Sequence, residues 1–267
     1  MNKSSPGPVC VKEIEMKTAS TQGFTLVELL VVIGILGILS AALFPAISNA
    51  VMQANMTAVG TRGKDIFVSV TASNMEREPL GLGNVWPRDQ TTAGGTPTAE
   101  ETKLISASST STKYFAWLYD EENKGSANSW SPVADGFDYS KLAGAGVPTC
   151  NTSTLTKNNN MWIIGCNIRD EMEDVIPILV TRNVDESTTS LLTDKFEPTS
   201  SGDSSKLQWA TATDRKTPFS DKGFVMIRKG GAIFKGRGRY RQHAVVYNNQ
   251  RFDLTAGGEN NFKYIAP

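Results

Sequence analysis

The sequence predicts an α+β protein: a long N-terminal helix, transmembrane in its first half and a stalk in its second, followed by a head with a small antiparallel β-sheet. Three observations carry this. From Leu29 to Thr61 there is no Asp, Glu, Lys, Arg or His. Apolar residues at helical spacing then continue the pattern toward Pro79. Beyond Pro79 the chain changes to short apolar runs separated by Ser, Thr, Gly and Asn, the texture of strands and turns.

Whole-chain averages conceal this division. With 267 residues, 39% of them hydrophobic and 20% charged, the composition excludes a wholly disordered chain, a polytopic membrane protein and a collagen-like fibre. The 27 basic and 27 acidic residues cancel, so no global charge draws the chain to nucleic acid or to an anionic surface. Three cysteines are too few for a disulfide-dense scaffold.

Phe24 to Ile47 is a 24-residue run whose only charge is Glu28. As a helix it spans about 36 Å, enough to cross a bilayer. It exceeds the roughly 7–15 apolar residues of a cleaved secretory signal. Lys3, Lys12 and Lys17 precede it and no cation follows until Arg62, so the N-terminus is expected in the cytoplasm and the C-terminal bulk across the membrane. A carboxylate at mid-bilayer costs about 2.5–3.5 kcal/mol, less near the interface, so Glu28 is expected to have a partner. The polar stretch Lys17 to Gly23 ends in a glycine that lets a protease approach the backbone.

Gly23, Phe24, Thr25, Leu26, Val27 and Glu28, followed by the apolar helix, resemble the class III signal of type IV pilins and type II secretion pseudopilins. The resemblance covers about the first fifth of the chain. It implies cleavage by a prepilin peptidase between Gly23 and Phe24 on the cytoplasmic side, followed by N-methylation of Phe24. It also implies an assembly role for Glu28, which becomes the fifth residue of the mature chain. Gly37 and Pro45 stand where the family has a helix glycine and a kinking proline. Residues 1–23 form the leader, and Met16 offers an alternative start that would leave a leader of eight residues. The physical logic of Glu28 is charge pairing: the α-amine of Phe24 on a neighbouring subunit offsets the buried carboxylate and sets axial register.

Residues 24–47 are thus read as the transmembrane helix, 48–78 as an amphipathic stalk and 79–267 as the exported head. The apolar pattern continues from Ile47, and Val51, Ala54, Ala58, Ile66 and Val70 form a stripe expected to dock on the head. Pro45 predicts a kink or locally melted turn near Ala41 to Pro45. Gly34 and Gly37 permit close helix approach. Pro79, with Gly81 and Gly83, ends the helix.

In the head, Tyr114–Tyr119, Met161–Ile164, Val175–Val180, Phe224–Ile227, Ala232–Phe234 and Ala244–Tyr247 read as strands or short core segments. Lys229-Gly230-Gly231 is a hairpin turn, and Pro177 marks its run as an edge or extended segment. Thr91–Thr112 and Glu186–Lys206, rich in Ser and Thr, read as loops. Cys10 leaves with the leader, and the remaining Cys150 and Cys166 are expected to form a disulfide worth about 3 kcal/mol.

No metal site is expected from two thiols and one distant histidine. Asp170, Glu171, Glu173 and Asp174, with Asp135 and Asp138, read as a solvated acidic surface, with calcium as the alternative. Arg228, Lys229, Lys235, Arg237, Arg239, Arg241 and Arg251 form a basic run without an acid among them, read as a subunit-facing or solvated surface rather than a nucleic-acid site. His243 reads as a packed or surface residue.

The chain has no phosphate loop, HExxH, GxSxG or CxxC, so no enzyme is expected and no cofactor. The resulting expectation is a structural filament subunit, a pseudopilin of a type II secretion system, with a type IV pilin of a surface pilus (adhesion, motility or DNA uptake) as the alternative. Its partners would be other pilin-like subunits, the prepilin peptidase, an inner-membrane assembly platform and membrane lipid. It would sit in the bacterial inner membrane as a single-pass protein with a periplasmic head.

Overall fold

The computed structural model describes residues 23–81, 83–89, 98–118, 155–186, 195–196, 206–211, 217, 219, 221–254 and 262–267. The chain divides into two compact units, Met1–Ser48 and Asn49–Pro267. Helix α1 (Leu26–Arg77) is 52 residues long and opens in the first unit, where every described residue is exposed. The expected melted turn is absent: the backbone stays α-helical from Ala41 through Pro45. A proline removes one rung of the ladder, and the rungs on either side suffice to keep the helix winding. A 3-10 turn, Glu78–Leu80, carries Pro79 directly after α1, and Gly81 then reverses the chain at φ 67°.

The second unit is built on a sheet with two buried faces. Its strands are β1 (Trp162–Cys166), β2 (Pro177–Thr181), β4 (Gly223–Arg228), β5 (Ile233–Arg237) and β7 (Lys263–Ile265). They lie in the order β5-β4-β2-β1-β7, all neighbours antiparallel. The short strands β3 (Lys195–Phe196) and β6 (Phe252–Asp253) pair separately. Alternate side chains serve opposite faces. Trp162, Ile164, Leu179, Val225 and Ile227 join Met56, Val59, Ile66 and Val70 of α1 in one core. Ile163, Val180, Phe224, Met226 and Tyr264 join Phe196, Val246, Tyr247 and Phe252 in the other. Burial on both faces is why β1, β2 and β4 read as continuous apolar runs.

The packed stripe of α1 differs from the expected one. Ile66 and Val70 are buried as anticipated, but Val51, Ala54 and Ala58 are exposed. Met56, Val59, Gly60, Gly63, Ile66 and Val70 form the face against the sheet. Glycine decides the matter: a Cβ at Gly63 would stand 2.5 Å from Trp162 Cη2, and one at Gly60 2.8 Å from Ile233 Cγ2. The helix approaches the sheet where it has no side chains, so a count of apolar residues selects the wrong flank.

Other expectations are corrected. Tyr114–Tyr119, read as a strand or short core segment, is a core segment but a helical one where described. Its described part lies in α3 (Ser111–Leu118), and the expected loop Thr91–Thr112 contains α2 (Ala99–Ala107) and the start of α3. Ser111, Tyr114, Phe115 and Leu118 are buried at helical spacing, and Ser111 fixes the start of α3. The Ser111 N–H donates to the Ala266 carbonyl (2.9 Å) and its Oγ donates to the Trp162 carbonyl (2.7 Å). Asn160 completes the joint: its Nδ2 donates to Ser111 Oγ (2.9 Å) and its Oδ1 accepts from the Trp162 N–H (3.0 Å). Ala244–Tyr247 is likewise largely helical, as α4 (His243–Val246), with His243, Val246 and Tyr247 buried. Pro177 opens a central strand, tolerated because it is the first residue and a register shift follows before Leu179. Lys195–Phe196 supplies a strand within the expected loop Glu186–Lys206, most of which lies outside the described residues.

The Lys229–Gly231 turn forms as read: the Arg228 N–H donates to the Ala232 carbonyl (2.9 Å), and Gly231 adopts φ 75°. Asp89 ties the segment before α2 to the sheet. It accepts from Asn167 Nδ2 (2.7 Å) and from Lys263 Nζ, while its N–H donates to Asn167 Oδ1 (3.1 Å). Partial burial raises its pKa, but the bonds from Lys263 and Asn167 outweigh this and hold it below the usual aspartate value. A depressed carboxylate stabilises the fold above its unfolded pKa and loses that contribution as pH falls through the folded one. Asp89→Asn should therefore lower stability at neutral pH and flatten the acid limb, measured as midpoint against pH in denaturant titrations.

Candidate functional site

The N-terminal end of α1 is built by a reciprocal cap. Thr25 precedes the helix, and its N–H and hydroxyl both donate to Glu28 Oε2, at 2.9 and 2.8 Å. In return the Glu28 N–H donates to Thr25 Oγ1 at 3.2 Å. This is a capping box, Thr-x-x-Glu, satisfying two donors that the first helical turn leaves orphaned. The four-residue pattern before an apolar run was legible in the sequence, where attention to the charge alone missed it.

Around this cap the chain is bare. Gly23 is exposed and Phe24 is 80% exposed. Large apolar side chains from Leu26 through Ile47 are all at least 46% exposed. Gly34 and Gly37 have no neighbouring atom within 4 Å of where a Cβ would stand, leaving two points of close approach for another helix. Pro45 lies on the same helix, well removed from Glu28 in sequence. The helix is long and apolar enough to cross a membrane. One exposed carboxylate near the start of such a surface is a polar contact that lipid tails cannot satisfy but a cation on another chain can.

Residues 19–44 match the family model described as the prokaryotic N-terminal methylation motif. No curated protein and no solved structure matches the chain. The matched segment is the prepilin-type signal of type IV pilins and pseudopilins. Together with the long apolar helix and the antiparallel five-stranded sheet, an α+β arrangement, the motif supports a protein of the type IV pilin-like or pseudopilin class. The motif implies processing by a prepilin peptidase and assembly with pilin-like subunits, and with the apolar helix it fits an inner-membrane anchor.

The remaining candidates do not converge. Cys166 is buried and is a free thiol among the described residues; Cys150, the partner expected for a disulfide, lies outside them. Burial, and secondarily the Asp89 carboxylate, push the Cys166 thiol up to about 12. The native protein treated with iodoacetamide at pH 8 should leave Cys166 unmodified, and denaturation should expose it, read by peptide mass mapping. Asp170, Glu171, Glu173 and Asp174 are exposed, Asp135 and Asp138 lie outside the described residues, and no cluster of three or more metal-ligating side chains forms among those described. His243 is buried, its ring 5.5 Å from that of Tyr247. The basic run divides: Arg228 is held inside, donating to the Val246 carbonyl and lying 5.0 Å from the Phe234 ring, while Lys235, Arg237 and Arg239 are exposed.

Proposed function

We propose that the protein is a pseudopilin of a type II secretion system, a non-enzymatic subunit that joins a periplasmic pseudopilus and drives folded proteins outward. The observation that carries this reading is the bare apolar helix with a single carboxylate at its start, joined to a head that buries the outer part of the same helix. In this mechanism the peptidase cuts between Gly23 and Phe24, and the new amine of Phe24 is methylated. The helix Phe24–Ile47 leaves the bilayer to enter a bundle of like helices, with Glu28 paired to the Phe24 amine of a neighbour. Gly37 and Pro45 shape the approach of neighbouring helices. The chain lies N-terminus inside, with the head on the periplasmic side.

Deletion of the gene tests the reading. Folded exoproteins should accumulate in the periplasm while surface fibres persist. Normal secretion with loss of surface fibres would instead make the chain a type IV pilin.

A further inference from the structure

Strand β5 runs beside α1 in the opposite direction. Lys64 Nζ donates to the Gly231 carbonyl (3.0 Å), a Cβ on Gly60 would meet Ile233, and Lys235 Nζ donates to Thr57 Oγ1 (3.2 Å). One step further, Arg237 pairs with Gly223, and a Cβ on Gly223 would stand 2.8 Å from Met56 Sδ. Arg237 is thus level with Met56, and the turn after it lies at the end of the head nearest Asn49. From Asn49 to Met56 is about 10 Å of helix. Asn49 itself follows the apolar run Phe24–Ile47 by two residues.

This end of the head is basic and aromatic. Lys222, Arg237, Arg239 and Tyr240 are exposed. The Gly238 N–H donates to the Lys222 carbonyl (2.8 Å), joining the two turns. The Arg239 guanidinium lies 4.8 Å from the Tyr240 ring centre, and that of Arg241 5.5 Å from the ring of Trp209. Asp221 is exposed beside Lys222, yet the ion pairs seen among the described residues use none of these cations. Tyrosine and tryptophan with flanking cations are the side chains that favour the headgroup layer of a bilayer.

We propose that Lys222, Arg237, Arg239, Tyr240 and Arg241 form a surface that rests on anionic phospholipid headgroups while the apolar helix is inserted, seating the head before assembly. The proposal rests on the membrane-anchored reading above. An anionic bilayer is favoured over nucleic acid because the patch is confined to the end of the head nearest Asn49, where the chain has left the apolar run two residues earlier.

The test uses the full chain in nanodiscs of pure phosphatidylcholine or of phosphatidylcholine with phosphatidylglycerol, read by amide hydrogen exchange. Each cation near an anionic surface shifts the bound-to-free ratio about fivefold. Exchange across residues 236–242 should therefore be at least several-fold slower with phosphatidylglycerol. The double variant Arg237→Gln/Arg239→Gln, or about 0.5 M salt, should remove the difference while leaving exchange in β4 unchanged. Equal exchange in both lipids, with Phe24–Ile47 protected, overturns this proposal alone. Rapid exchange throughout Phe24–Ile47 overturns the anchoring reading and this proposal with it. Protection of 236–242 by duplex DNA in phosphatidylcholine discs, with no response to phosphatidylglycerol, would assign the patch to nucleic acid and also overturn it.

Discussion

Gly63→Val should lower the thermal midpoint of the second unit by several degrees. The first atom added, Cβ, would stand 2.5 Å from Trp162 Cη2, 2.9 Å from its Cζ2 and 3.0 Å from Ile227 Cγ1. None of these has free space to retreat into, because Trp162 and Ile227 are both fully buried. The Trp162 backbone is pinned as well, its N–H on Asn160 and its carbonyl on Ser111. Overpacking a closed core costs about 1–3 kcal/mol, and for a unit of this size each kcal/mol lowers the midpoint by about 2–4 °C. Valine is only a modest helix former, so the propensity gained over glycine offsets little of this. Gly37→Val is the control: with nothing within 4 Å, it should leave the melt of the second unit unchanged. Near-UV circular dichroism of the full chain in detergent reads both, and coincident melts would mean that α1 does not seat against Trp162 as described.

The same glycine shows what the sequence could convey. The charge-free run and the Gly-Phe-Thr-x-x-Glu start were legible because membrane insertion and peptidase recognition act on contiguous residues. The sheet was legible as apolar runs, since burial on both faces leaves each strand nearly uniform. That uniformity also hid α3: its aromatic residues read as a strand or short core segment, although Ser111, Tyr114, Phe115 and Leu118 recur at i, i+3, i+4 and i+7. The flank of α1 that packs was missed because close approach is achieved by absent side chains at Gly60 and Gly63, which carry no hydrophobic signal. The two-residue strands β3 and β6 are too short to produce a period at all. Long-range bonds such as Asp89 to Lys263 and Asn167 depend on how the chain returns, which no local pattern states.

Glu28→Ala is expected to leave cleavage after Gly23 intact and to abolish recovery of the protein in sheared filaments. Two different functions of the carboxylate could account for such a loss, because Glu28 also caps α1 through the Thr25 N–H and hydroxyl. Loss of a cap costs about 0.5–2 kcal/mol and frays the first turn. An unpaired charge in apolar surroundings is a larger matter, at about 2.5–3.5 kcal/mol near mid-bilayer, and only a cation relieves it. Glu28→Gln separates the two: the amide oxygen still accepts from the Thr25 N–H, as glutamine does in a capping box, but it offers no charge to the Phe24 amine of a neighbour. If pairing sets the register, the glutamine variant should be cleaved normally and fail to assemble, as the alanine variant does. Filaments of normal yield from Glu28→Gln would sink the pairing and leave Glu28 as a helix cap. Quantitative immunoblots of processed subunit and of sheared filament from the same cells give both readings at once.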